Sequence, residues 1–523
     1  MTQRMRLNEG NRRWWTLAAM CFALFMIMLD NTVVNVALPS IQRDLGASLP
    51  ALEWTVNIYT LTFAVLLVTG GRLGDILGRR RMFLFCAVVF AVSSAAIGLA
   101  PDQGWLIAGR AIQGVGAAFM MPATLSIITV TFPPHERGKA IGTWAGVSAL
   151  ALAIGPVVGG ALTEYVSWRA IFFLNLPVAV GAVAVTLFAV HESRDETTEH
   201  SIDWPGITTL SVGLTALVLA LIEGNSWGWG SPELIGLLIT AAVSLVSFAL
   251  IEPRVREPMV DFSLFRSRTF LGANMVGFIV SFAMLAMFFF TALYMQNILG
   301  YSALEAGVRF LPSTLMIVVI APFAGRLADR IGPRPPMVTG LVLTTLALLL
   351  QTRIDLDTGY SLLLPAFVLM GIGMALVMSP MSTAAMNAVP AHKAGVGSGI
   401  LSMSRMVGGT FGVAALGALF QHIARADIGD ALAGTGVSAA QQEHLVEGLG
   451  TASHTGGLPP AAADAAHNAF IHALSSGMWL SASVAAAGVV IAFTLVGNRP
   501  THQDDAATHP EAAAAEEAVP VAG

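Results

Sequence analysis

The chain has 523 residues, 55% of them hydrophobic and only 11% charged, with a formal net charge of -5. A soluble domain carries about 25% charged residues, so a soluble globular enzyme is excluded as the class, and no nucleic-acid partner is expected. The apolar residues come in blocks of about 20, the length that crosses a hydrocarbon core as a helix; a strand barrel would instead alternate in runs of about ten.

Fourteen such blocks follow one another at 14–37, 52–71, 82–100, 104–130, 140–163, 168–190, 205–223, 232–251, 269–293, 303–325, 336–351, 361–387, 395–420 and 472–497. The first runs straight into Asp30 and Asn31 and lacks a small-residue cleavage pattern, so it reads as a span and not as a cleaved signal. Cys21 and Cys86 both fall inside blocks without redox or metal spacing, and are read as packing residues. Of the 27 Lys and Arg residues, about twenty fall in alternate loops and four in the others, which is the positive-inside pattern. Both termini are therefore expected in the cytoplasm, which needs an even number of spans. Arg110, Arg309 and Arg405 fall within the blocks themselves.

The chain also repeats itself. Gly71-Arg-Leu-Gly-Asp75-Ile-Leu-Gly78-Arg-Arg80 recurs as Gly325-Arg-Leu-Ala-Asp329-Arg-Ile-Gly332-Pro-Arg334, each expected in the loop after an inward-running helix. Gly114-Val-Gly116, Pro133, His135, Gly138 and Gly142 answer to Gly371-Ile-Gly373, Pro390, His392, Gly395 and Gly399. The expected organisation is an N-terminus at 1–13, a six-helix bundle at 14–190, an acidic linker with two extra helices at 191–268, a second six-helix bundle at 269–497 and a disordered cytoplasmic tail at 498–523. Two similar halves with a site between them are the plan of a rocking, alternating-access transporter.

Several motifs in order carry a family resemblance: Leu29-Asp30-Asn31-Thr32-Val33-Val34-Asn35 through Pro39, the Gly71–Arg81 segment, Leu106 with Arg110, Gln113, Gly114 and Gly116, and Gly146 with Gly155, Pro156, Gly159 and Gly160. Over about residues 14–497 the chain resembles the major facilitator superfamily, in its fourteen-helix drug:proton antiporter branch. The resemblance implies an all-α integral membrane protein of two pseudo-symmetric six-helix bundles plus two linking helices. It also implies export of small lipophilic or amphipathic compounds in exchange for protons, from the plasma membrane. In that family the Gly146–Gly160 motif marks antiporters.

The residues also have readings of their own. Asp30 and Arg110 lie at matching depths, each about 10–12 Å from the outer end of its helix. Charges there are expensive and are usually paired and functional. They are expected to couple protons, meeting directly or through Asn31, Asn35 or Gln113, with a static salt bridge as the alternative. Asp75, with Arg72, Arg79, Arg80 and the glycines at 71 and 78, suits a charge-assisted latch between helix ends, repeated at Asp329. The glycines of the fifth helix give a close-packing gate and Pro156 a kink. Phe282, Phe289, Met374, Asn31, Asn35, Gln113 and Arg405 are candidates for lining a substrate cavity. Arg405 either pairs with a carboxylate of another helix or contacts substrate. Arg309 is expected to pair with Glu305 four residues earlier. The stretch 421–470 is expected as a long outer loop whose last part, about 461–471, forms a short helix.

No phosphate-binding loop, metal cluster or activated nucleophile is found, so no cofactor, no metal and no enzyme activity are expected. The expected partners are membrane lipid, a small-molecule substrate and protons. A monomer is expected, and a periplasmic adaptor stays open. A proton-coupled uptake symporter and a non-transporting membrane receptor or lipid-interaction protein remain as alternatives.

Overall fold

The computed structural model describes residues 9–47, 49–194, 203–256, 258–301, 303–355, 358–432 and 460–498, and they form helices and short turns with no strand among them. The long helices are α1 (Glu9–Leu45), α2 (Leu49–Leu77), α3 (Arg79–Gly98), α4 (Gln103–Thr131), α5 (Pro134–Tyr165), α6 (Trp168–Ala189), α7 (Trp204–Trp227) and α8 (Pro232–Ile251). They continue with α9 (Arg268–Asn297), α10 (Ala303–Arg309), α11 (Leu311–Ile331), α12 (Arg334–Gln351), α13 (Tyr360–Asn387), α14 (Ala394–Ala431) and α15 (Pro460–Leu495). Most of the acidic linker, the middle of the long outer stretch and the C-terminal tail lie outside the described residues.

Thirteen of these helices are long and apolar enough to cross a membrane. The remaining expected block forms α12, which has 18 residues, opens Arg334-Pro-Pro and closes on Gln351, leaving a short apolar stretch. It nevertheless packs against α13 and α15. The block expected at 303–325 is divided into α10 and α11 around Phe310. Pro312 sits in the first turn of α11, and without an N–H it cannot continue the hydrogen-bond ladder of α10. The outer stretch expected at 421–470 is partly helical: α14 runs on to Ala431, and α15 begins at Pro460 and continues unbroken into the last span.

The repeated motif also differs from the loop expected for it. Residues 71–77 are the last turns of α2 and residues 325–331 the last turns of α11. Only one glycine, Gly78 at φ 106 or Gly332 at φ 87, turns the chain into the next helix. That left-handed backbone is nearly free for glycine and costly for any residue with a Cβ. Arg80 then donates to the Leu187 carbonyl at the foot of α6, and Arg334 to the Val496 carbonyl just past α15. The two halves thus repeat in detail as well as in sequence.

Within the first half α1 packs on α5 and α6, and α2 on α4; within the second, α9 packs on α14 and α12 on α13. The halves meet along two seams, α5 against α11 and α2 against α14. Both seams are glycine contacts. A Cβ on Gly71 would collide with the Gly395 carbonyl, and one on Gly325 with the Gly138 carbonyl. Further along, Gly142 faces Ala321, and Gly399 faces Leu67. Bare backbones at these points let helices of opposite halves touch. Helix α7 lies against α2 and α14 together and so covers one seam; α8 packs on α7 and exposes Ile239, Val243 and Val246.

The α5–α11 seam can be tested where Ser379 is fully buried and its hydroxyl donates to the Gly138 carbonyl. With the buried Cys21 and Cys86 replaced by Ser, a Ser379→Cys protein should react slowly with a membrane-permeant maleimide. Adding Gly325→Val should speed that reaction severalfold. Equal rates would mean that the bare backbone at 325 does not set the seam.

Candidate functional site

The deepest polar cluster lies inside the first half. Arg110 Nη1 donates to Asp30 Oδ2 at 2.5 Å and to Gln113 Oε1 at 2.8 Å. Gln113 Nε2 reaches Asp30 Oδ1 at 3.0 Å, and Asn175 Nδ2 reaches the same oxygen at 2.8 Å. Asn175 Nδ2 also donates to Ser94 Oγ at 2.9 Å, and Ser94 in turn to the Phe172 carbonyl. Arg110 Nε donates to the Thr55 carbonyl, and its guanidinium lies 4.0 Å from the centre of the Tyr59 ring. Asp30, Arg110, Gln113, Asn175, Ser94 and Tyr59 are all buried. The structure therefore joins Asp30 to Arg110 both directly and through Gln113. Asn31 and Asn35 stand apart, with the Asn35 amide donating to the Asn31 carbonyl on the more exposed side of α1. Ser94, Asn175 and Tyr59 were not singled out from the sequence; they come from three different helices, and only packing brings them together.

The fifth-helix glycines serve two neighbours. Gly138, Gly142 and Gly146 face α11 across the seam, while Gly155 and Gly159 face α1 at Thr32 and Val33. Gly160 stands near Val36. One helix thus links the seam between halves to the turn of α1 that carries Asp30. The second half repeats the arrangement, with Gly408 and Gly412 on α14 facing Phe278 and Phe282 of α9.

The latch motif closes the α2–α14 seam. Arg79 grips Asp75 Oδ1 through Nε at 2.8 Å and Nη2 at 2.6 Å, and Nη2 also donates to the Ala391 and His392 carbonyls. Across the seam, the Gly395 and Val396 amides at the start of α14 donate to Asp75 Oδ1 and Oδ2, each at 2.9 Å. A carboxylate at a helix N-terminus meets free N–H groups and the positive end of the dipole. Arg72 is buried beside them. At the other seam Asp329 accepts from the Gly138 amide at 3.1 Å. Pro333 stands where Arg79 would map, so the second latch lacks the matching guanidinium.

A further tie lies beside the first latch, where Lys393 Nζ is 2.6 Å from Asp261 Oδ2. Burial pushes the Asp261 carboxyl up, but its bonds to Lys393 and Ser263 outweigh this and bring it down to about 2. With a folded value below the ordinary one, its stabilising share is complete above the usual carboxylate range. That share is lost only as the pH falls through the range toward about 2. The tie is therefore made throughout neutral pH.

Between the halves, a cavity of about 240 Å³ is lined by apolar groups including Leu152 of α5, Met284, Leu285 and Phe288 of α9, and Phe310 and Ile317 around the α10–α11 break. Phe282 is buried against Gly412, Met374 is buried in α13, and Phe289 is exposed; none of the three lines this cavity. A larger cleft of about 500 Å³, with Arg12, Arg13, His191 and Glu192 on its walls, lies within the first half and not between the halves. Arg309 donates to the Glu305 backbone carbonyl and lies 3.6 Å from the centre of the Tyr301 ring. Among the described residues no group of three or more His, Cys, Asp or Glu could hold a metal.

The Major Facilitator Superfamily model matches residues 20–413. The chain belongs to that family. It is 36% identical over 491 residues to the tetracenomycin C resistance and export protein of Streptomyces glaucescens, covering 92% of this chain and 90% of that one. It is 40% identical over 412 residues to the puromycin resistance protein pur8 of Streptomyces alboniger, covering 77% and 81%. With the multidrug resistance protein Stp of Mycobacterium tuberculosis it shares 36% over 450 residues, covering 85% and 83%. A crystal structure of a double-Trp mutant of XylE matches the fold with a TM-score of 0.64 at 14% identity, covering 95% of this chain and 99% of that one. The family and fold are those of multi-pass membrane transporters and not of enzymes.

Two outcomes test the latch. Asp75→Asn turns an amide toward the Gly395 and Val396 donors and weakens the hold on Arg79, and breaking such a buried pair costs about 3–5 kcal/mol. Ser398, fully buried with its hydroxyl on the Pro122 carbonyl, is the reporter. In Asp75→Asn, Ser398→Cys should label at least about tenfold faster; an unchanged rate would remove the latch role. Asp261→Asn should raise the same labelling less, and by the same factor at every pH between about 6 and 8.

Proposed function

We propose that this chain exports small lipophilic or amphipathic compounds in exchange for protons, by rocking its two halves about the site between them. The sequence supports fourteen crossings with both termini in the cytoplasm, the arginine-rich ends of the helices lying on that side. On this reading the two latches close the cytoplasmic side, and the cavity between the halves belongs to the outward-facing part of the cycle. The chain works as a monomer.

The observation that carries the coupling role is the buried Asp30 with three side-chain donors, Arg110, Gln113 and Asn175. A carboxylate at membrane depth is costly unless it is paired. Here it sits on the turn of α1 next to Gly155 and Gly159 of α5, the helix that also forms a seam. A change of protonation at Asp30 would alter its hold on Arg110 and be felt along α5, while rocking would change the access of Asp30 to water. The export direction is supported by the family's resistance and export relatives and by the glycine motif of α5. An uptake symporter on the same fold predicts the opposite substrate movement.

Drug-sensitive cells expressing the chain should lose a fluorescent lipophilic dye, and a protonophore should abolish that loss. Proton-driven accumulation of the dye would instead favour the symporter. Asp30→Asn, inserted at normal levels, should export no dye against its gradient, because a permanently neutral amide cannot cycle. If that variant still concentrates dye under an imposed proton gradient, the coupling group lies elsewhere.

A further inference from the structure

Arg405 stands about 16 Å along α14 from its start at Ala394, at a rise of 1.5 Å per residue. Cations at membrane depth are normally paired. Arg110 obeys that rule with Asp30. Arg405 does not. Its Nε is buried without a hydrogen-bond partner among the described residues, and no ion pair joins it there. The surrounding helices offer no counter-charge at that depth. Helices α4, α9 and α13 contain no Asp or Glu, and the carboxylates of the others lie toward helix ends: Glu53 and Asp75 on α2, Glu223 on α7, Asp427 and Asp430 on α14, and Asp464 on α15.

Its position relative to the cavity is the second observation. The Arg405 side chain crosses to α9 beside Gly277, with Met381 of α13 alongside. One helical turn further out, Gly409 of the same helix faces Leu285, and Leu285 lines the cavity of about 240 Å³. Along α9, Gly277 lies about 12 Å before Leu285, so the guanidinium stands about two turns further in than the apolar space between the halves. The repeat sharpens the point. Offsetting by the matched pair Gly138 and Gly395 places Ser148 where Arg405 stands, so the cation belongs to the second half alone.

We propose that the substrates of this site are amphipathic anions, with an apolar body in the cavity and a carboxylate or similar oxyanion on Arg405. This rests on the exporter reading and narrows its substrate class. A guanidinium offers a planar fork of donors that matches a carboxylate in two parallel bonds. A ligand that supplies an anionic acceptor satisfies the buried Nε–H and balances the charge, and a neutral analogue of the same body does not balance it.

The test uses binding, which does not depend on transport. The purified full chain, in nanodiscs of zwitterionic lipid, is titrated with pyrenebutyrate and with pyrenebutyramide, each corrected against empty nanodiscs. The wild type should bind the acid at least about tenfold more tightly than the amide. Arg405→Gln should bring the acid down to the affinity of the amide and leave the amide unchanged, and Arg405→Lys should keep part of the preference. Equal affinities in the wild type, or a preference that survives in Arg405→Gln, would overturn the proposal. Should Arg405→Gln fail to fold, the wild-type comparison and the Arg405→Lys protein still decide. Failure of the exporter reading looks different: no compound leaves energised cells, while the acid-over-amide preference stands.

Discussion

Asp75 bonds across one of the two seams at which the helix bundles meet. Its oxygens take bonds from Arg79 on one side and from the first amides of α14 on the other. Asp75 and Arg79 are buried in the seam, where water does not replace such bonds one at a time, so breaking one of them leaves the rest costly. Half-open geometries leave a buried charge or an orphaned donor and are the costly ones. The glycines follow from this. The carboxylate reaches the α14 amides only because Gly71 and Gly395 bring two backbones into contact. A seam made of several mutually dependent bonds suits the discrete states proposed above.

The internal repeat distributes that plan unequally. Each half supplies one carboxylate to one seam, but Asp329 has Pro333 where Asp75 has Arg79. The buried carboxylate cluster around Asp30 belongs to the first half, and the unpaired guanidinium at Arg405 to the second. Helix α5 ties the Asp30 turn of α1 to the α11 seam, since one stretch of its glycines meets α11 and the next meets α1. Helix α14, which carries Arg405, meets the first half at α2 and α4 instead.

Much of this was legible in the sequence because the bilayer allows few solutions. Apolar blocks mark the helices, and the repeated Gly-x-x-x-Asp pattern marks the pseudo-symmetry. Depth along a helix was enough to match Asp30 with Arg110, since rise per residue is nearly constant. Azimuth around a helix was not available in the same way. That is why Ser94, Asn175 and Tyr59 went unnoticed, and why the α5 glycines read as one face when they are two. The motif was assigned to a loop because its arginines suggested a solvated connection, whereas only Gly78 leaves the helix. Pro312, by contrast, did announce the break between α10 and α11, and length alone concealed it.

The seat of α7 bears on how the chain is assembled. Synthesis delivers α1–α6 first, then α7 and α8, and α14 only much later. Helix α7 touches α2 of the earlier half and α14 of the later one. When α14 enters the bilayer, its slot already has two walls, α2 and α7. The extra pair thus extends the surface of the first half on which α14 of the second half comes to lie.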